Sequence, residues 1–115
     1  MPQYLFSFRT PVDDVPTPDG RAAWEAFFSA ISTHLDDIGN PIFTRASVGA
    51  VGTDTALGGY SIVHADDLDQ ARRLAADCPL IPRGGGVEIG EITPLTTMQP
   101  ATAMDEGAAR RPGDG

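Results

Sequence analysis

Large apolar residues alternate with smaller or polar ones near the start of the chain. Across residues 3–9, Tyr4, Phe6 and Phe8 fall on one side of an extended chain, and the intervening residues fall on the other. Side chains in a strand switch faces at every residue, so this alternation predicts a first β-strand.

The apolar period changes to that of a helix between residues 21 and 38. The apolar positions recur at helical spacing on one stripe, and they are Trp24, Phe27, Phe28, Ile31, Leu35 and Ile38. Thr17 or Asp19 is a candidate N-cap for this helix. Gly39 is the predicted stop, because glycine adopts the left-handed conformation that is common just past a helix.

Two strands are predicted in the middle of the chain. Residues 42–51 suit a strand, although Gly49 weakens it. Residues 60–64 predict another, with Tyr60, Ile62 and His64 on one face.

A second helix and a last strand complete the pattern. Asp66 is the expected N-cap, and Pro79 prevents the helix from continuing. Its buried side is predicted to hold small and apolar residues, namely Leu68, Ala71, Leu74, Ala75 and Cys78. Residues 87–92, after a run of three glycines, are the predicted last strand.

The predicted order β-α-β-β-α-β is that of an α+β, ferredoxin-like fold. Such a fold has a four-stranded antiparallel sheet with two helices on one face. The first strand carries apolar residues on both faces, so the helices leave an apolar sheet surface uncovered. We therefore expect a homodimer whose sheets pack face to face. Residues 1–95 form the predicted domain, and residues 96–115, poor in large apolar residues, a flexible tail.

Charge and cysteine content exclude several classes of protein. The net charge is -8, and every basic residue is an arginine. The basic residues cluster no further than in pairs, so we expect neither nucleic acid nor a membrane as a partner. With a single cysteine there is no disulfide framework. We expect no metal and no cofactor. The start of the chain lacks a signal peptide pattern, which predicts a cytoplasmic protein.

Several short segments together resemble a known family. They are LGGYSIVHADDLDQA at 57–71, CP at 78–79, GGVEI at 85–89, WEAFF at 24–28 and GNP at 39–41. This combination resembles the YCII-related family, also called the DGPF-domain family, of dimeric α/β-barrel proteins. The resemblance implies a homodimer with a pocket for a small organic molecule. It also implies a sensing or accessory role, since family members often occur near extracytoplasmic-function sigma factors.

The chain departs from the family pattern at two points. It has GTDTA at residues 52–56, where the Asp-Gly-Pro-Phe motif would fall. Some family members pair a histidine of the first helix with an aspartate, as a proposed catalytic dyad. The comparable positions here are Trp24 and Phe28, which transfer no protons.

His64 is the candidate catalytic residue. Histidine titrates near neutrality and serves as a general base, and Asp66 is close enough in sequence to orient it. Arg83 or Tyr60 would then stabilise developing negative charge. The alternative interpretation is a half-exposed histidine at the end of a strand, with no chemical role.

A ligand pocket is predicted where the first helix meets the sheet. Its residues are Trp24, Phe28, Asn40, Ser47 and Tyr60, with His64 and Arg83 nearby. Small-molecule sites are mostly apolar with a few convergent polar groups, and this set has that character. Arg83 or Arg45 would bind a carboxylate through a two-pronged contact.

The sequence is compatible with three functions. We favour a homodimer that binds a small organic molecule. The first alternative is a cofactor-free isomerase, lyase or cyclase that uses His64 as its acid and base. The second alternative is a structural module that binds another protein.

Overall fold

A computed structural model describes residues 1–15 and 17–97 of the chain. Its helices and strands are β1 (Gln3–Pro11), α1 (Pro18–Ala30), β2 (Leu35–Asp37), β3 (Thr55–His64), α2 (Leu68–Ala75) and β4 (Gly86–Ile92). The strands form one sheet in the order β2-β3-β1-β4, and all neighbours are antiparallel. This confirms the predicted α+β, ferredoxin-like βαββαβ fold.

One face of the sheet packs against the helices. Tyr4, Phe6 and Phe8 of β1 are buried on this face. Tyr4 lies opposite Val63 and Phe6 opposite Ser61 on β3, so both central strands contribute alternate residues to the core. The helices and the chain after α2 supply the rest of the core, namely Phe27, Ile31, Ala71, Ala75, Cys78 and Leu80.

No other element of residues 1–15 and 17–97 covers the second face of the sheet. Leu5 lies opposite Ile62, and Gln3 lies opposite Ile92. Leu5 is 38% exposed and Ile92 is 37% exposed. An apolar stripe therefore crosses three strands on the side away from the helices.

The first helix is shorter than the apolar stripe predicted. Thr17 caps it, as expected, by accepting a hydrogen bond from the Gly20 amide at 3.1 Å. The helix ends at Ala30, and a 3₁₀ turn, Ser32–His34, leads directly into β2. The prediction of a helix to residue 38 was wrong. Ser, Thr, His and Asp are poor helix formers, and the pairing of Leu35 with Val63 completes the sheet.

The strand predicted at residues 42–51 is absent. This segment has no regular structure, and its neighbour Pro41 makes only an isolated bridge to Gly59. β2 pairs with β3 only at Val63 and Ile62. Farther along β3 the bridge from Pro41 is not extended, because proline has no amide hydrogen to continue a ladder. The second strand of the fold is therefore Leu35–Asp37.

The second helix begins one residue later than predicted. Asp67, and not Asp66, is the N-cap, and its Oδ1 accepts from the Gln70 amide at 2.8 Å. Gln70 in turn accepts from the Asp66 amide through Oε1 at 2.6 Å. This reciprocal pair satisfies two backbone donors at the helix start. Cys78 is buried as expected but follows the helix, and burial raises the pKa of its thiol.

The C-terminal boundary is described only in part. A 3₁₀ turn, Leu95–Thr97, follows β4. The predicted tail, residues 96–115, lies outside the described residues from residue 98 onward. Within residues 1–15 and 17–97, no helix is both long and apolar enough to cross a bilayer.

Candidate functional site

A cleft of about 1300 Å³ opens between α1 and the sheet. Its walls come from the end of β1 and the loop that follows, from α1 as far as Phe28, and from residues 38–45, 58–60 and 79–83. We call it the aromatic cleft, after the rings described next.

Three aromatic rings form the apolar wall of the aromatic cleft. Trp24 and Phe28 are one helical turn apart on α1, and their rings stack with centroids 5.5 Å apart. The ring of Phe8, from β1, meets Trp24 edge-on at 5.1 Å. Phe8 is buried, whereas Trp24 and Phe28 are half-buried. Flat aromatic surface is thus available to a ligand on a rigid base.

Polar side chains also line the aromatic cleft, on the turn after β2 and on β3. Asn40 donates a hydrogen bond from Nδ2 to the hydroxyl of Tyr60 at 3.1 Å. The turn before Asn40 depends on Gly39, which has a φ of 76°. A Cβ at Gly39 would lie 1.8 Å from the carbonyl oxygen of Tyr60. The absence of a side chain is therefore what brings Asn40 against β3.

A buried serine holds the same turn from the other side. Ser61 is fully buried and donates from its hydroxyl to the carbonyl of Ile38 at 2.5 Å. The Asp37 carboxylate accepts from the Gly39 amide at 2.8 Å. These two bonds and the backbone bond from Tyr60 to Asn40 fix the polar side of the aromatic cleft.

Two arginines of the aromatic cleft have different partners. Arg83 forms an ion pair with Asp14, to which both its Nε and Nη2 donate. Arg45 donates from Nη1 to the carbonyls of Ile42 and Leu57, at 3.2 Å and 3.0 Å. One guanidinium is thus held by a carboxylate and the other by backbone oxygens.

His64 lies apart from the aromatic cleft. Its Nδ1 is 2.7 Å from Oδ1 of Asp36, a residue of β2. The other oxygen of Asp36 accepts from Gln3 at 2.8 Å. The hydrogen bonds from Gln3 and His64 lower the pKa of Asp36. We call this arrangement the His64–Asp36 pair.

The geometry of the His64–Asp36 pair is that of an oriented imidazole. A carboxylate on Nδ1 fixes the ring and leaves Nε2 for proton transfer. His34 lies alongside, with its Nδ1 3.0 Å from the His64 carbonyl oxygen. Tyr60 is four residues away along β3, about 13 Å at the usual rise of a strand. On β3, His64 is therefore not adjacent to a residue that lines the cleft.

Most of the predicted pocket residues come together. Trp24, Phe28, Asn40, Tyr60 and Arg83 all line the aromatic cleft, and their role in ligand binding stays a prediction. Ser47 and His64 do not line it. Ser47 lies in the exposed, irregular segment that was predicted to be a strand, so it has no strand register to point it inward.

Sequence reasoning missed the partner of His64. Asp66 was the expected partner, but its backbone is turned into the start of α2. Asp36 was placed inside the predicted helix, where it would not have met β3. No local signal would have identified it, because Leu favours a helix and Asp is uncommon in strands. The extended path depends on the pairing of Leu35 with Val63, far away in the sequence.

One solved structure with a similar fold is 5-chloro-2-hydroxyhydroquinone dehydrochlorinase from Burkholderia phenoliruptrix AC1100, in complex with 2,5-dihydroxybenzoquinone. It superposes with a TM-score of 0.56 at 16% sequence identity, and the match covers 86% of this chain and 100% of that one. At this identity the likeness concerns the fold alone. A search of the curated proteins gave no sequence match.

The family comparison is more direct. The model of the YCII-related domain matches residues 25–96, from within α1 to the turn that follows β4. This range holds both β2–β3 pairing and most of the aromatic cleft, and it agrees with the segments in which the sequence resembled the family. The chain therefore belongs to the YCII-related domain family.

Proposed function

We propose that the protein binds a small, flat organic compound in the aromatic cleft. The observation that carries the proposal is that the Trp24–Phe28 ring stack and the hydrogen-bonded Asn40 and Tyr60 line the same cleft. Apolar walls with few convergent polar groups are typical of small-molecule sites. The ring compound bound by the structurally similar dehydrochlorinase supports a ligand of this kind.

The test uses Trp24, since it is the single tryptophan of the chain. Its indole N–H gives one resolved signal in a ¹H–¹⁵N correlation spectrum. We expect hydroquinone, benzamide, benzoate or 2,5-dihydroxybenzoquinone to shift this signal in a saturable way. If none of these compounds shifts it, the proposal is wrong.

A matched pair of variants locates the binding. Phe28→Ala removes half of the ring stack, and we expect affinity to fall about tenfold, in line with a lost aromatic contact. Leu68→Ala changes an exposed apolar residue outside the cleft, and affinity should stay as in the parent protein. Equal losses in both variants would place the binding elsewhere.

We further propose that the functional unit is a homodimer in which a second copy covers the open sheet face. The apolar stripe of Leu5, Ile62 and Ile92 supports this, as does membership of a family of dimeric α/β-barrel proteins. Sedimentation equilibrium should give twice the mass of one chain. Leu5→Glu should shift the equilibrium toward monomer, and a monomeric parent protein would contradict the proposal.

A second candidate function is cofactor-free acid–base catalysis by His64. The 2.7 Å contact between His64 and Asp36 favours it, because an oriented imidazole is a competent base. Arg83, the expected stabiliser of negative charge, is engaged by Asp14 instead. In D₂O the enzyme would exchange the acidic hydrogens of cyclohexanone faster than buffer does, and His64→Gln would abolish this. Exchange at the buffer rate rejects the second candidate.

A further inference from the structure

The charge of the aromatic cleft differs from that of the chain. Acidic residues outnumber basic ones in the whole sequence, 16 to 8. Among the residues that line the cleft the order is reversed, with the arginines Arg21, Arg45 and Arg83 against the aspartates Asp14 and Asp19. Asp19 lies in the first turn of α1, where the helix dipole offsets its charge. The cleft is thus a positive site in a negative protein.

Arg83 does not supply the free positive charge. Its Nε donates to Asp14 at 2.7 Å, and its Nη2 donates to the same oxygen and to the Val15 carbonyl. The edge of the guanidinium that carries Nε and Nη2 is therefore occupied, and the charge is neutralised.

Arg45 presents the opposite arrangement. Its Nη1 is engaged by the carbonyls of Ile42 and Leu57. Carbonyls hold the side chain in place without cancelling its charge, and no carboxylate of the described residues pairs with it. The edge that carries Nε and Nη2 makes no hydrogen bond within the described part of the chain. That edge is the one that binds a carboxylate through two parallel hydrogen bonds.

We propose that the ligand of the aromatic cleft is an organic anion, and that Arg45 is the residue that selects it. The ligand class is a small ring compound that bears a carboxylate or an acidic hydroxyl. The ring lies against Trp24 and Phe28, and the anionic group binds the open edge of Arg45. This inference rests on the proposed function of the cleft and specifies the charge of what it binds.

The experiment compares two probes that differ in charge and share a ring, benzoate and benzamide. The Trp24 indole signal reports the affinity of each. Charge-assisted hydrogen bonds are about twice as strong as neutral ones, so benzoate should bind at least about tenfold more tightly. Because screening weakens an exposed charge pair, added salt should reduce this ratio.

Substitution of Arg45 assigns the preference to a residue. Arg45→Gln should bring the ratio of the two affinities close to one, while the affinity for benzamide stays within about twofold. The benzamide value also reports any disturbance from the lost carbonyl contacts. Arg45→Lys keeps the charge but lacks the two-pronged edge, so its ratio should be intermediate. The control is Arg72→Gln, a change at an exposed arginine of α2 that does not line the cleft.

The outcomes separate the two proposals. If benzamide binds as tightly as benzoate, the ligand-charge inference is wrong and the binding function stands. A preference that survives Arg45→Gln and disappears in Arg21→Gln overturns the assignment to Arg45. If neither probe moves the Trp24 signal, and the neutral and quinoid compounds also fail, the proposed function itself is rejected.

Discussion

The aromatic cleft and the His64–Asp36 pair occupy different parts of one sheet and are built in opposite ways. The cleft has a large volume, stacked rings and few polar groups. The pair has well-made hydrogen bonds and lies on the open face, outside that volume. Tyr60 belongs to both regions. Its side chain is on the same sheet face as His64, and its hydroxyl accepts a hydrogen bond from Asn40 of the cleft.

The difference separates the structural requirements of the two proposed functions, ligand binding and acid–base catalysis. Affinity for a flat compound needs apolar surface and little else. Proton transfer needs an oriented base within hydrogen-bond reach of the ligand. In a single chain the two requirements are met in separate places. Three experiments on the protein sharpen this contrast, in order of decreasing effect on stability.

Phe8→Ala should have the largest effect. Phe8 is 4% exposed and meets the rings of Trp24, Phe27 and Phe28 edge-on. We expect the free energy of unfolding to fall by about 3 to 5 kcal/mol, as for other buried Phe truncations. Urea denaturation measures it. The control is Phe43→Ala in the same cleft, because Phe43 is 79% exposed and its loss should cost under about 0.5 kcal/mol. Similar losses would mean that the cleft wall is not a packed cluster.

Gly39→Ala should have a smaller but definite effect. The left-handed backbone alone costs a non-glycine residue about 1 kcal/mol or more, and the new Cβ also meets the Tyr60 carbonyl at 1.8 Å. Gly49→Ala is the matched control, since Gly49 has a φ of 82° and no atom within 4 Å of its Cβ position. Gly39→Ala should be the less stable variant by at least about 1 kcal/mol, and it should also weaken ligand binding. Equal stabilities would show that Asn40 does not depend on this close approach.

Asp36→Asn should have the smallest effect on stability of the three, and this effect should depend on pH. The folded state lowers the pKa of Asp36 from 3.8. The stabilising contribution is thus complete above that value and is lost as pH falls through the lower folded-state pKa. Urea midpoints measured from neutral to acid pH should show a smaller acid-side decline in Asp36→Asn than in the parent protein.

Asp69→Asn is the control for that pH experiment. Asp69 is exposed and lies 3.6 Å from Arg72 on the surface of α2, so its pH profile should follow that of the parent protein. An unchanged profile in Asp36→Asn would show that the hydrogen bonds from Gln3 and His64 do not form in solution.

Much of the fold could be predicted from the sequence, because the apolar residues of the core recur at a clear strand or helix period. The alternation of Tyr4, Phe6 and Phe8 and the one-turn spacing of Trp24 and Phe28 both survive in the structure. The path of the chain after α1 was not predictable. Ile31 and Leu35 keep a helical spacing, yet only the pairing of Leu35 with β3 decides that the chain is extended there.

The candidate site was predictable only where it depends on local periodicity. The contact of Asp36 with His64 follows from the register of β2 against β3, which is a long-range property. The difference between Arg45 and Arg83 is also long-range. It depends on Asp14, 69 positions from Arg83, and nothing near either arginine indicates which one is neutralised.

The Arg45 contacts have a consequence for how firmly the irregular segment is attached. A single guanidinium joins the carbonyl of Ile42, in that segment, to the carbonyl of Leu57 on β3. Arg45 is also the only basic residue between Arg21 and Arg72, so trypsin has one cleavage point there. The rate of cleavage after Arg45 therefore reports how often its hydrogen bonds to the two carbonyls break. A molecule bound to the guanidinium would slow this cleavage.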